Sequence, residues 1–149
     1  MKKKKRKFKK IDKIGKKIIF NLDCHPYKQQ CIVCCNGQMK DVVKYMKSLK
    51  DLSSGGKETL KMIQDKKEVY FEKIKENCGR LFIELPTGYI MILHHNGGWI
   101  STTATVSHEA NHLSQYILRN AGIQLTQETE EAYTYLQESI LENILRKIY

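Results

Sequence analysis

The sequence predicts an α+β domain in which a small, mostly antiparallel sheet packs on a helical layer. Two observations carry that expectation. Short runs rich in β-branched and aromatic residues cluster before residue 96, and two stretches with a helical apolar period follow Ser101. A chain of 149 residues is long enough for one such domain to bury a core without disulfide staples.

The first 17 residues hold eleven Lys or Arg against one Asp, and the other 132 balance fifteen basic with fifteen acidic groups. The formal charge of +10 is therefore a property of the segment Lys2–Lys17, expected as a flexible tail ahead of a single domain over residues 18–149. Such a tail either solubilises the chain or makes a weak, salt-sensitive contact with nucleic acid or another polyanion. Phe8 is its single aromatic residue, so the interleaved rings of a base-stacking surface are missing.

Ile18–Leu22 and Gln30–Cys35 read as strands, with Pro26 in their connection. Cys31 and Cys34 have the spacing of half a zinc knuckle, but no second paired cluster accompanies them, and buried thiols on an apolar strand explain them better. Five cysteines, an odd number, suggest reduced thiols in a cytosolic setting. No apolar run reaches bilayer length, and Ile18–Phe20 is too short for the core of a signal peptide. The expectation is an intracellular protein without a membrane contact.

Asn36-Gly37 marks a turn, after which Met39, Val42, Val43, Met46 and Leu49 give a helical period. Ser53-Ser54-Gly55-Gly56 is expected as a flexible link. Lys57–Asn77 is charged and expected to be mostly helical, with Leu60, Ile63, Tyr70 and Ile74 available for packing. Leu81–Leu85 and Tyr89–Leu93 flank Pro86-Thr87-Gly88 as a hairpin. The following helix is expected to begin near Ser101–Thr103 and to stop near Gly122, a suitable left-handed residue. Thr126 is then placed to cap a last helix that opens at Gln127.

The chemistry concentrates in His108-Glu109-Ala110-Asn111-His112. Residues four apart project from one helix face, so the two imidazoles can hold a zinc ion while the glutamate acts on water activated by the metal. Val106, Ala110, Leu113 and Ile117 form the buried stripe of this helix, and His108 and His112 lie roughly 200° away from it. The competing reading is an amphipathic helix with two incidental surface histidines. A third ligand is offered by Glu131, if two antiparallel helices joined by a short turn bring it beside His112. Glu130 and Glu128 stand next in line, although acidic residues in a first turn also complement a helix dipole without any further role.

The segment from His108 to Ala132 resembles the zincin metallopeptidases, in the branch whose third ligand is a downstream glutamate followed by alanine, as Glu131-Ala132 is here. Val106–Leu136 is also similar to small zincin-like proteins encoded by bacteriophages and prophages, which place an acidic-Ala-aromatic stretch after the motif, as in Glu130-Glu131-Ala132-Tyr133-Thr134-Tyr135. The resemblance implies a zincin-like fold, Zn2+ held by His108, His112 and Glu131, and Glu109 as catalytic base in peptide hydrolysis. It also implies a protein or peptide substrate laid along an edge strand, and a bacterial host cytoplasm or a virion as the location. Thermolysin-like members carry an aspartate four residues after the third ligand, where this chain has Tyr135, so the outer support of the histidines must come from elsewhere. Tyr133, Tyr135, His94 and His95 are candidate donors to a developing oxyanion, while the plainer reading of His94-His95 is a polar strand end. Two other classes of function remain open. One is a non-catalytic virion or interaction protein with a structural zinc site. The other is a nucleic-acid-associated protein, proteolytic or not, tethered by its basic tail.

Overall fold

The computed structural model describes residues 15–86 and 88–149. Most of the basic segment, residues 1–14, lies outside them; of the rest, Lys17 makes an ion pair with Asp41 at 2.6 Å. The chain runs β1 (Ile18–Cys24), β2 (Gln29–Cys35), α1 (Met39–Ser48), α2 (Ser54–Asp65), α3 (Lys67–Tyr70), β3 (Gly79–Leu85), β4 (Gly88–Leu93), α4 (Trp99–Asn120) and α5 (Glu130–Ile148). The α+β class is as expected.

The four strands form one sheet in the order β1-β2-β4-β3. β1 pairs with β2 and β3 with β4 as antiparallel hairpins, whereas β2 and β4 run parallel, Val33 opposite Met91. Two parallel neighbours need a crossover between them, and α1–α3 supply it. The sheet is thus mixed, with its parallel ladder at the centre and β3 at one edge.

Strand alternation divides the apolar residues between two cores. Cys31, Val33 and Cys35 of β2, with Tyr89, Met91 and Leu93 of β4, meet Val106, Ala110, Leu113 and Ile117 of α4 and Leu136, Ile140, Ile144 and Ile148 of α5. Ile32, Cys34, Ile90 and Ile92 meet Met39, Val42 and Met46 of α1, Ile63 of α2 and Tyr70 of α3. Helices therefore cover both faces, one layer more than the sequence suggested. The reason is legible afterwards: Cys31–Cys35 and Tyr89–Leu93 are buried at every residue, the pattern of a strand covered on both sides. Each of the large aliphatic side chains buried between α4, α5 and the sheet contributes about 1.5–3 kcal/mol. The solvent-facing Arg146–Glu142 pair of α5 adds only about 0.3–0.5 kcal/mol, so packing, not charge, holds the helical pair.

Cys31 and Cys34 point to opposite faces of β2 and cannot share a ligand. Cys24, Cys31, Cys34 and Cys35 are buried free thiols, and burial pushes Cys24, Cys34 and Cys35 up to about 12. They are core residues, as expected. Cys78 alone is exposed.

Some boundaries differ from the sequence reading. Ser53 is not part of a flexible link: its hydroxyl accepts the Gly56 N–H at 3.1 Å and caps α2, whose first turn contains Gly55 and Gly56. The helix tolerates Gly56 because Leu52 packs where a β-carbon would stand, within 2.5 Å. Helical structure ends at Tyr70, short of Asn77. α4 begins at Trp99, ahead of Ser101, and ends as expected, with Gly122 at φ +78 and the Ile123 N–H bonded to the Leu118 carbonyl. α5 opens at Glu130 instead of Gln127, because the Thr129 hydroxyl is taken up by the loop, accepting the Thr126 N–H and donating to the Gln124 carbonyl.

Candidate functional site

The edge strand and α4 meet at one point. The turn into β3, Asn77–Gly79, lies against the middle of α4, and the two enclose a cleft of about 350 Å³ lined by Asn77, Cys78, Gly79, Ala104, Thr105, His108 and Glu109. The turn is fixed from three sides. The Thr105 hydroxyl is 3.3 Å from the Asn77 carbonyl and also within bonding distance of its own helix at Ser101. The Asn77 side chain accepts the Asn96 N–H at 3.2 Å, and the Cys78 carbonyl accepts the His94 N–H at 2.9 Å. Asn77 sits at φ +56, a conformation asparagine tolerates better than most residues.

His108 and His112 are exposed on α4, their rings edge to face with centroids 4.6 Å apart. Their Nε2 atoms stand 3.1 Å from each other. Two nitrogens bound to one tetrahedral zinc at about 2.0–2.1 Å lie about 3.4 Å apart, so a small ring adjustment lets both reach a single ion. The buried stripe expected for α4 is present: Val106, Ala110 and Leu113 are fully buried and Ile117 nearly so.

Glu109 behaves differently from its neighbours. It is only 5 % exposed and lines the cleft, yet it makes no hydrogen bond or salt bridge with the described residues. Burial raises its carboxyl above the usual range, and His108 and His112 offset part of that rise. Gly79 makes room for it: a β-carbon there would lie 2.3 Å from Glu109 Cγ.

The remaining residues singled out by sequence stand elsewhere. Glu131 is exposed in the first turn of α5. The helical register is pinned by Tyr133, which donates to the Ile123 carbonyl at 2.7 Å, and at the other end by the Trp99 and Tyr149 rings, 4.9 Å apart. His112 lies eight residues before Asn120, the end of α4, about 12 Å along the helix axis. Among the described residues no three His, Cys, Asp or Glu side chains gather for one ion. The tight turn assumed between the helices is instead the loop 121–129, which delays α5. Glu128 and Glu130 are exposed in the same region.

Tyr133 is buried with its hydroxyl committed to the loop, and Tyr135 is 67 % exposed on α5. The His94 ring donates to the Gly37 carbonyl at 2.6 Å, and the His95 ring meets the Asn36 amide at 3.3 Å. His95 is buried, which lowers its pKa with help from His94. Both rings thus engage the turn after β2 and neither lines the cleft. The residues that sequence reasoning missed are Cys78 and Gly79, thirty residues upstream of the motif; their only signal was a small, strand-opening Cys-Gly pair.

A second cleft, about 750 Å³, lies between Trp99 and the outer face of α5, and neither His108 nor His112 lines it. No helix among the described residues is long and apolar enough to cross a membrane. No family model, curated protein or solved structure matches the chain.

Proposed function

We propose that this chain is a zinc-dependent peptidase whose centre is built on His108, Glu109 and His112. The observation that carries the reading is the convergence of two imidazole Nε2 atoms at 3.1 Å beside a carboxylate that is buried in the cleft and has no hydrogen-bond partner among the described residues. Two incidental surface histidines would not require a glycine at position 79 to open space for the neighbouring glutamate in the cleft. The donor chemistry suits zinc at two positions, His108 and His112, and among the described residues no third His, Cys, Asp or Glu gathers with them.

Bound zinc would act as a Lewis acid on a peptide carbonyl and make water a nucleophile near neutral pH. Glu109 takes the proton of the attacking water and passes it to the departing amine. Its burial supports this, because a carboxylate raised toward the working pH both accepts and releases a proton readily. Gly79 keeps the carboxylate in the cleft, and the unpaired side of β3 offers backbone N–H and C=O groups to an extended peptide, which sets the scissile bond over α4.

A peptide library tests this with wild type and Glu109→Gln, zinc content being measured in each sample. Hydrolysis by wild type should fall by a factor of about 10²–10⁴ in the variant with zinc retained. Wild type that holds one zinc per chain and cleaves nothing would favour a structural metal site instead.

A further inference from the structure

We propose that a separate cleft, where the start of β1 meets the end of α5, binds a phosphate group through the His95 ring and the lysines around it. The cleft measures about 200 Å³ and is lined by Lys16, Lys17, Ile18, His95, Lys147 and Ile148. It is smaller than the roughly 300–1,000 Å³ of pockets that enclose larger organic ligands, so its size suits a small ion or the head of a larger molecule.

His95 supplies the observation that points to a ligand. It is 6 % exposed, and its Nδ1 is buried with no hydrogen-bond partner among the described residues. Asn36 decides which ring nitrogen carries the proton. Its Oδ1 accepts the His95 backbone N–H at 3.0 Å, which leaves the amide nitrogen facing His95 Nε2 at 3.3 Å. An amide N–H donates, so Nε2 accepts, and the proton of the neutral ring sits on Nδ1. Burial, with His94 beside it, lowers the His95 pKa and keeps the ring neutral. The unmet group is therefore an N–H donor, which calls for an acceptor.

The charges around the ring select the acceptor. Three lysines line the cleft and no Asp or Glu does. Asp41 offsets Lys17 in an ion pair at 2.6 Å, so Lys16 and Lys147 remain to balance a dianion. Ile18 and Ile148 give the cleft apolar walls, against which a charge-assisted bond gains strength. The last turn of α5 opposes an anion, so the affinity depends on the lysines and falls as salt screens them.

The full chain, labelled with nitrogen-15, is titrated with inorganic phosphate, and chloride at the same ionic strength serves as the control. The His95 Nδ1–H resonance should shift and saturate at one phosphate per chain, and chloride should leave it in place. His95→Phe should weaken binding about tenfold or more. Because His95 is buried, Lys147→Gln provides an exposed second variant and should weaken binding by up to about fivefold. Lys57→Gln, exposed on α2, should have no effect, and neither should His112→Ala. Phenyl phosphate identifies the source: tighter binding than inorganic phosphate assigns the site to a phosphate carried on an organic molecule, and weaker binding assigns it to the free ion. A shift that never saturates, an equal response to chloride, an equal loss in Lys57→Gln, or binding that requires His112 overturns the proposal. Circular dichroism of each variant confirms that the comparison is between folded chains.

Discussion

Gly79 of β3 and Glu109 of α4 touch so closely that a β-carbon on the first would fall 2.3 Å from the Cγ and 2.7 Å from the Oε1 of the second. A side chain at position 79 would fit only if the Glu109 side chain moved. The position of the motif carboxylate is thus set by a residue thirty positions upstream.

Gly79→Ala is expected to push the Glu109 side chain out of the cleft while leaving His108 and His112 in place. Peptide hydrolysis should fall toward the level of Glu109→Gln, by about 10²-fold or more if the base is fully displaced, with zinc content unchanged. Equal activity in Gly79→Ala and wild type would show that the carboxylate does not act from the position described.

The buried carboxyl also sets a pH dependence. Burial raises the Glu109 pKa and the two histidines lower it in part. The folded protein therefore keeps a proton there at pH values where the unfolded chain has released it. Stability falls as pH rises through the unfolded pKa toward the folded one, and the penalty is complete above the latter. In metal-free protein Glu109→Gln should raise Tm at neutral pH, and the gain should shrink to nothing below about pH 4. Thermal unfolding of both proteins in chelator across that range checks it; a gain that grows on acidification would contradict the argument.

Tyr133 is expected to support the loop and not the reaction. Its hydroxyl donates to the Ile123 carbonyl at 2.7 Å, and an intramolecular bond of this kind contributes about 0.5–1.5 kcal/mol. Tyr133→Phe should lower Tm by a few degrees and leave kcat unaltered. A large loss of kcat with unchanged Tm would return Tyr133 to the list of oxyanion donors.

Zinc should stabilise the folded chain by mass action. At one hundred times its Kd the gain is about 2.7 kcal/mol, measurable as a rise in Tm, and His112→Ala should abolish that rise. An identical zinc-dependent shift in the variant would place the metal elsewhere.

The parts of this fold that were legible in the sequence are those determined by local pattern. The stripe Val106, Ala110, Leu113 and Ile117 is buried as its spacing implies, and the hairpin around Pro86–Gly88 forms where its turn residues stand. Gly122 ends α4 in the left-handed conformation for which it was singled out. What was not legible depended on the relative placement of elements. Two glycines after Ser53 looked like a link, but a hydroxyl cap and the packing of Leu52 turn them into a helix start. The start of α5 at Glu130 instead of Gln127 depends on the bonds that the Thr129 hydroxyl makes within the loop. The contact of Gly79 with Glu109, and the nearness of Cys78, arise only once β3 takes the sheet edge.

The central strand β4 gives Met91 and Leu93 to one core and Ile90 and Ile92 to the other. Adjacent residues of one backbone are therefore the floor of both cores. Neither helical layer can melt by itself without exposing the reverse side of a strand that the other still needs. The domain should consequently lose its structure in one cooperative step. A lesion among α1–α3, on the far face from the histidines, would then reduce the population of intact sites in direct proportion to its effect on the global folding equilibrium, with no change in the chemistry of those that remain.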